Sequence, residues 1–208
     1  VSDTKNHNGL YAHVSHVVSG EIHVGDTVCA AVCAHRRELL RRNHTATHLL
    51  DAALKAVLGD HVSQAGSLVA PEHLRFDFTH FESVTPEQLK QVEELANSVI
   101  MSATATNIFE TSLAEAREEG VTALFGEKYG DVVRVVKVGD FSSELCGGCH
   151  VANTAEIGLV KIVSESSVGA NLRRIEAFTS YDALTYLNGF EHQMKELSAT
   201  LRVPTSDV

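Results

Sequence analysis

The sequence predicts an α+β fold, in which helices pack on a largely antiparallel sheet, preceded by a small, partial β-barrel-like segment. Alternating apolar residues near the start, helical periodicity in later segments and strand-like runs between those segments support this prediction. The 208 residues, 44% of them hydrophobic, are enough to bury a full core. We therefore expect a β-rich subdomain at 1–36, a main domain at 37–180 and an amphipathic helix at 181–208.

The β-rich segment comes first. In "GLYAHVSHVVSGEIHVGDTVCAAV" apolar and polar residues alternate, and Gly20 and Gly25 interrupt the pattern, which is typical of a hairpin or a small barrel. Cys29 and Cys33 lie in this segment, and we predict that they are buried small hydrophobic residues rather than metal ligands. Four cysteines without a targeting segment favour a reducing compartment, so the sequence predicts a cytoplasmic protein.

A long helix and two strands follow. Leucines recur at helical spacing as far as residue 58, and Gly59 provides a common C-terminal stop, which predicts a helix over 37–58. The apolar runs at 64–69 and 74–78 predict two strands joined by a turn.

Two shorter helices can be recognised by their first residues. Thr85 and Gln88 form a capping-box pattern, and an apolar face at helical spacing follows them. Ser112 and Glu115 repeat the pattern after a predicted strand at 107–111.

The last third of the chain contains three strands and a helix. "DVVRVVKVG", "IGLVKIVSES" and "NLRRIEAFTS" are strand-like. From Tyr181 the apolar residues follow a heptad rhythm, at Ala183, Leu187, Phe190, Met194, Leu197 and Leu201. Two interpretations stay open: the helix leads toward a missing domain or a partner subunit, or it folds back on this domain. Because the chain does not begin with Met, we expect it to be a fragment of a longer polypeptide.

Two motifs carry the chemistry. His44 and His48 lie four residues apart in the first predicted helix, so both imidazoles can reach one ion. Cys146, Cys149 and His150 lie close together in "LCGGCH", where two glycines let the backbone fold tightly. Thiolate and imidazole ligands favour zinc over magnesium or calcium. Two histidines from the helix with a cysteine and a histidine from the loop would complete a tetrahedron.

Other roles for these residues stay open at this point. Cys146 and Cys149 have the spacing of a redox dithiol, although the strand and helix expected before such a pair are lacking. Zinc held by four protein ligands is typical of a structural site, whereas catalytic zinc usually keeps one position open. The sequence does not separate a working site from a structural one.

The net charge limits the partners. A formal charge of −10 argues against generic nucleic-acid binding, because neutralising phosphates requires Lys and Arg. A local basic surface is still compatible with the sequence. No segment approaches the ~18 uninterrupted apolar residues of a membrane span.

With these motifs in view, the chain resembles the editing domain of alanyl-tRNA synthetase, which is shared with free-standing alanyl-tRNA editing proteins. "RNHTATHLLDAAL", "SQAGSLVAPEHLRFDF", "ALFGEKYGDVVRVV" and "ELCGGCHVANTAEIG" with "KIVSESSVGANLRRIEA" carry the resemblance. It implies hydrolysis of tRNA(Ala) mischarged with serine or glycine. It also implies an ATP-using alanine–tRNA ligase as the parent enzyme, whose aminoacylation core is absent here, and self-association through a missing C-terminal region.

The resemblance also assigns residues. It implies a Zn²⁺ ion bound by four ligands, and Thr47 and Gln64 in the editing pocket. For contact with the tRNA acceptor end, we predict two local cation pairs near the site. The zinc ligands would be His44, His48, Cys146 and His150, and the cations Arg75, Lys128, Arg173 and Arg174.

The chain departs from the family motif at one position. The motif reads Cys-Gly-Gly-Thr-His, and Cys149 occupies the threonine position here. Its thiol is either a bystander or a competitor of Cys146 for the metal.

Overall fold

A computed structural model describes residues 1–123 and 129–208. The chain forms two compact units, Val1–Val32 and Cys33–Val208. In the first unit, strands β1 (Asp3–His7) and β2 (Leu10–Val14) pair antiparallel. The turn between them is the dipeptide Asn-Gly with positive φ at both residues, which suits a tight hairpin.

The remainder of the first unit differs from the prediction. Residues 15–33 contain no regular strand, so the strands predicted around Gly20 and Gly25 are wrong and the barrel-like segment is a single hairpin. Cys29 and Cys33 are exposed, so the prediction of their burial is also wrong. Alternating apolar residues indicate a strand only where another chain segment is available to pair with it.

The second unit contains four helices and two antiparallel sheets within the described residues, which confirms the α+β prediction. One sheet has the strand order β3-β4-β9-β8, and the other has the order β5-β6-β7. The elements are α1 (Ala34–Leu58), β3 (Gln64–Val69), β4 (Leu74–Thr79), α2 (Pro86–Met101), β5 (Thr106–Ser112), α3 (Leu113–Glu118), β6 (Val132–Val138), β7 (Ser142–Leu145), β8 (Val160–Gly169), β9 (Leu172–Thr179) and α4 (Ser180–Leu201).

Helices α1 and α2 cover one face of the four-stranded sheet. Burial alternates along β4, so that Leu74, Phe76 and Phe78 point to this face and their neighbours do not. They pack with apolar residues of both helices, among them Leu50 and Val92, in one hydrophobic core. The consequence for the site is that α1 is held against the sheet along its middle, where His44 and His48 lie.

The predicted helix starts are confirmed. Thr85 and Gln88 form a complete capping box at the start of α2, and Ser112 and Glu115 form another at the start of α3. Strand β7 and a 3-10 turn at Thr154–Ile157 were not predicted.

Helix α4 is anchored at its beginning. Ala183 is buried, and the rings of Phe178, Tyr186 and Phe190 form a series of edge contacts. Beyond that point the heptad residues Leu197 and Leu201 are exposed. The first turns therefore fold back on the domain, whereas the later apolar residues do not. Among the described helices, none combines the length and the apolar character needed to cross a bilayer.

Candidate metal centre

The four side chains predicted to bind zinc meet in the second unit. His44 and His48 lie on the same face of α1, while Cys146 and His150 lie on the loop that follows β7. One ligand atom of each residue lies within 4.8 Å of the ligand atoms of the other three. Two motifs separated by about a hundred residues therefore form one cluster.

The spacing of these atoms fits a tetrahedral ion. Cys146 Sγ lies 3.5 Å from Nε2 of His44 and 3.3 Å from Nε2 of His150. With zinc–sulfur bonds of about 2.3 Å and zinc–nitrogen bonds of about 2.0 Å, a tetrahedron has sulfur–nitrogen edges of about 3.5 Å. The donor set suits zinc in both chemistry and geometry.

His48 provides a second test of the fit. Its Nδ1 is buried and has no hydrogen-bond partner among the described residues. Its Nε2 lies 3.5 Å from a carboxylate oxygen of Glu144, which is itself buried. Burial, followed by the nearby Asp51, raises the pKa of Glu144 to about 8. Buried nitrogens without a partner are costly, and a bound metal removes that cost.

Burial also keeps the imidazoles in the form that binds metal. It lowers the pKa of His48 to about 3 and that of His150 to about 2, and the neighbouring histidines add to the effect. For His44, burial and then Arg134 lower the pKa. A metal binds the neutral imidazole, so these rings need lose no proton at neutral pH. Burial raises the pKa of the Cys146 thiol, and a bound cation acts in the opposite direction by favouring the thiolate.

The loop that carries Cys146 and His150 is held in place by hydrogen bonds to its backbone, which come from the Arg134 side chain, and by one hydrogen bond within the loop. Nη1 of Arg134 donates to the carbonyl oxygens of Cys146 and Gly148, at 2.6 and 2.8 Å. The backbone N–H of Gly148 points at Cys146 Sγ from 3.4 Å. A Cβ on Gly148 would lie 2.0 Å from Cε1 of His44, so only glycine lets the loop approach the helix this closely.

Cys149 does not belong to the cluster. Its exposed thiol accepts a hydrogen bond from Arg37 at 3.2 Å, whereas Cys146 faces the histidines, and both thiols are free. This arrangement provides no support for a redox dithiol. Cys149 instead lines an open pocket of about 270 Å³, together with Arg37, Leu40, His44 and Val69. The pocket gives a small molecule access to the His44 side of the cluster.

Comparisons with known proteins show what the chain is similar to. Residues 133–176, which include Cys146 and His150, match the family described as "Threonyl and Alanyl tRNA synthetase second additional domain". The chain is 58% identical over 199 residues to the alanine–tRNA ligase of Pelotomaculum thermopropionicum, and 54% over 200 residues to that of Desulforamulus reducens. It is 52% identical over 204 residues to that of Staphylococcus aureus (strain Newman).

The chain belongs to the alanyl-tRNA synthetase family. The three alignments cover 96%, 96% and 98% of this chain but only 23% of each relative. The chain therefore spans about a quarter of the length of the relatives it matches.

The two predicted pocket residues lie on different elements. Thr47 is buried on α1, and its hydroxyl donates to the carbonyl oxygen of Asn43 at 2.8 Å. Gln64 is half-buried at the start of β3, with its amide nitrogen 3.3 Å from the hydroxyl of Ser67. Their roles stay predictions.

The predicted tRNA-binding cations have carboxylate neighbours. Arg173 forms a two-pronged pair with Glu165, and Arg174 forms one with Asp77 at 2.7 Å for both bonds. Arg75 lies 3.8 Å from the same aspartate. A phosphate would have to compete with these carboxylates. The fourth predicted cation, Lys128, lies outside the described residues.

Sequence reasoning missed the residues that support the ligands. Glu144, Arg134 and Thr45 each contact a predicted ligand or its backbone. Glu144 lies on β7, which was not predicted, whereas Arg134 and Thr45 lie on the predicted strand and helix that became β6 and α1. Thr45 could have been noticed as a hydroxyl residue between the two histidines. For Glu144 and Arg134 the sequence offers no comparable signal.

Proposed function

We propose that this segment is an editing domain, which hydrolyses the ester of tRNA(Ala) mischarged with serine or glycine, at a zinc ion held by His44, His48, Cys146 and His150. The observation that carries the proposal is the four-ligand cluster beside an open pocket. Membership of the alanyl-tRNA synthetase family supports the choice of substrate. We assign the parent enzyme's use of ATP and alanine to the part of the relatives that this chain does not span.

Hydrolysis of an aminoacyl ester requires only a positioned water molecule and stabilisation of the negative charge that develops on the carbonyl oxygen. Zinc, when bound, polarises a carbonyl group and favours deprotonation of water. The chain's own residues hold the metal ligands and orient the substrate. The loop and α1 fix the ligands, and the pocket beside His44 receives the aminoacyl end of the substrate. We assign Gln64 to positioning the attacking water, together with the hydroxyl groups of the substrate.

Sparing the correct product demands a polar contact. Alanine is smaller than serine by one hydroxyl, so exclusion by size cannot protect alanyl-tRNA(Ala). A site that hydrogen-bonds a hydroxyl discriminates strongly against the analogue that lacks it. Thr47 donates its own hydrogen to Asn43, which leaves its oxygen able to accept a hydrogen bond from serine.

The deciding experiment follows hydrolysis of seryl-tRNA(Ala) by the zinc-loaded and the chelator-stripped protein. We expect the loaded protein to be at least about tenfold faster, and His44→Ala to behave like the stripped protein while its circular dichroism shows a folded chain. Equal slow rates in all three samples would reject the proposal.

Such a result would favour a second candidate, a structural-zinc module that binds or connects RNA without hydrolysing it. The specific observation in its favour is that the cluster offers four protein ligands, enough to occupy every position of a tetrahedral zinc ion.

Thr47→Val should lower the discrimination between seryl- and alanyl-tRNA(Ala) by about tenfold, because it removes one hydrogen bond to the serine hydroxyl. The measurement is the ratio of kcat/KM for the two substrates, with zinc content determined in parallel. Unchanged discrimination in a folded, zinc-loaded variant would show that Thr47 has only a structural role.

A further inference from the structure

We infer that Thr45 is a positioning residue, which fixes the tautomer of His150 and so directs the Nε2 of that ring toward the metal. The inference rests on the zinc site proposed above and adds a residue that lies outside the ligand set. Thr45 lies on α1 between His44 and His48, and it is fully buried.

The hydroxyl of Thr45 has three neighbours. It donates to the carbonyl oxygen of Arg41 at 3.0 Å and accepts from the backbone N–H of Val151 at 3.1 Å. The third neighbour is Nδ1 of His150, at 3.2 Å. Three contacts match the full capacity of a hydroxyl group, which has one hydrogen and two lone pairs.

Counting hydrogens then assigns the ring. A carbonyl oxygen can only accept, so the one hydroxyl hydrogen points toward Arg41. A backbone N–H can only donate, so it occupies the first lone pair. The second lone pair faces His150, whose Nδ1 must therefore carry the hydrogen. A neutral imidazole protonated at Nδ1 has its free lone pair on Nε2.

The free lone pair lies where the metal is needed. Nε2 of His150 is the atom that lies 3.3 Å from Cys146 Sγ. Nε of Arg41, one turn before Thr45, also donates to the carbonyl oxygen of His150 at 2.5 Å. One turn of α1 thus holds the backbone of His150 and sets its tautomer. Partners of this kind around metal-bound histidines are worth about 10- to 100-fold in metal affinity.

The opposing interpretation is that Thr45 is an ordinary buried threonine that stabilises the fold. Thr154 provides a matched control, because its buried hydroxyl also donates to a carbonyl oxygen, that of Val99, and accepts from the N–H of Thr104. It differs in having no histidine as a third partner. The two threonines therefore share the structural role and differ in the proposed one.

The experiment measures zinc affinity by chelator competition in Thr45→Val, Thr45→Ser and Thr154→Val, together with stability to urea. We expect Thr45→Val to bind zinc about 10- to 100-fold more weakly, while Thr45→Ser restores most of the affinity and Thr154→Val loses stability alone. Wild-type affinity in Thr45→Val would overturn the inference, and so would an equal loss of affinity in Thr154→Val.

A second measurement does not depend on any variant being folded. Long-range proton–nitrogen NMR spectra of the zinc-loaded wild-type protein should show His150 protonated at Nδ1 and metal-bound at Nε2, and the reverse assignment would overturn the inference. Hydrolysis of seryl-tRNA(Ala) by the wild-type protein is a separate readout. If the expected tautomer is found but seryl-tRNA(Ala) is not hydrolysed, the proposed function is rejected and the role of Thr45 stands. If seryl-tRNA(Ala) is hydrolysed but the reverse tautomer is found, the role of Thr45 is rejected and the proposed function stands.

Discussion

Replacing Gly148 with alanine should weaken zinc binding by more than about 100-fold, beyond the usual effect of residues that only support a ligand. The new Cβ would lie 2.0 Å from Cε1 and 2.4 Å from Nδ1 of His44, closer than any real Cβ contact. Either the ring of His44 leaves the cluster or the loop carrying Cys146 retreats from α1. In both cases at least one of the four ligands is lost. Chelator competition and the metal content of the purified variant measure the effect.

Gly147 is the matched control for this prediction. A Cβ there meets nothing within 4 Å, and neither Gly147 nor Gly148 has the positive φ that penalises alanine. Gly147→Ala should therefore bind zinc like the wild type. If Gly148→Ala also retained wild-type affinity, the close approach of the loop to α1 would be wrong.

Asn43→Leu should destabilise the protein by about 3–5 kcal/mol, because it leaves several buried polar groups without partners. The side-chain amide of Asn43 donates to the carbonyl oxygens of Ala70 and Pro71, at 2.7 and 3.1 Å. Its oxygen accepts from the hydroxyl of Thr179 at 2.7 Å. One buried amide thus joins α1 to the β3–β4 turn and to the end of β9. Urea unfolding of the metal-free protein gives the change in free energy.

Asn107→Leu serves as the control, since Asn107 is exposed on β5 and its replacement should change the stability by less than about 0.5 kcal/mol. Measuring without metal keeps zinc binding from masking the loss. Equal stability of Asn43→Leu and wild type would mean that the buried amide does not join the three elements.

Elements with local signals could be predicted from the sequence. The starts of α2 and α3 depend on pairs three residues apart, Thr85 with Gln88 and Ser112 with Glu115, and both capping boxes are present. The cluster of four predicted ligands was accessible for a similar reason. His44 and His48 lie one turn apart, and the cysteine and histidine of the loop are four residues apart, so each half of the site carries its own pattern.

Features that depend on distant partners could not be predicted. Asp77, which pairs with Arg174, lies 97 positions away along the chain, and the tautomer of His150 depends on Thr45, 105 positions away. Neither separation leaves a periodic pattern in the sequence. The alternating residues of 15–33 failed for the opposite reason, because their pattern is local whereas strand formation requires a partner.

The four predicted metal ligands are divided between two distant stretches of chain, which has a consequence for the order in which they are synthesised. His48 precedes His150 by 102 positions, so at translation rates of roughly 5–20 residues per second the ribosome delivers the helical pair roughly 5–20 s before the loop. A zinc ion captured in that interval would have only two of its four proposed ligands from the nascent polypeptide, and cellular water or thiols would occupy the other positions. The proposed metal centre would form only after the loop has emerged.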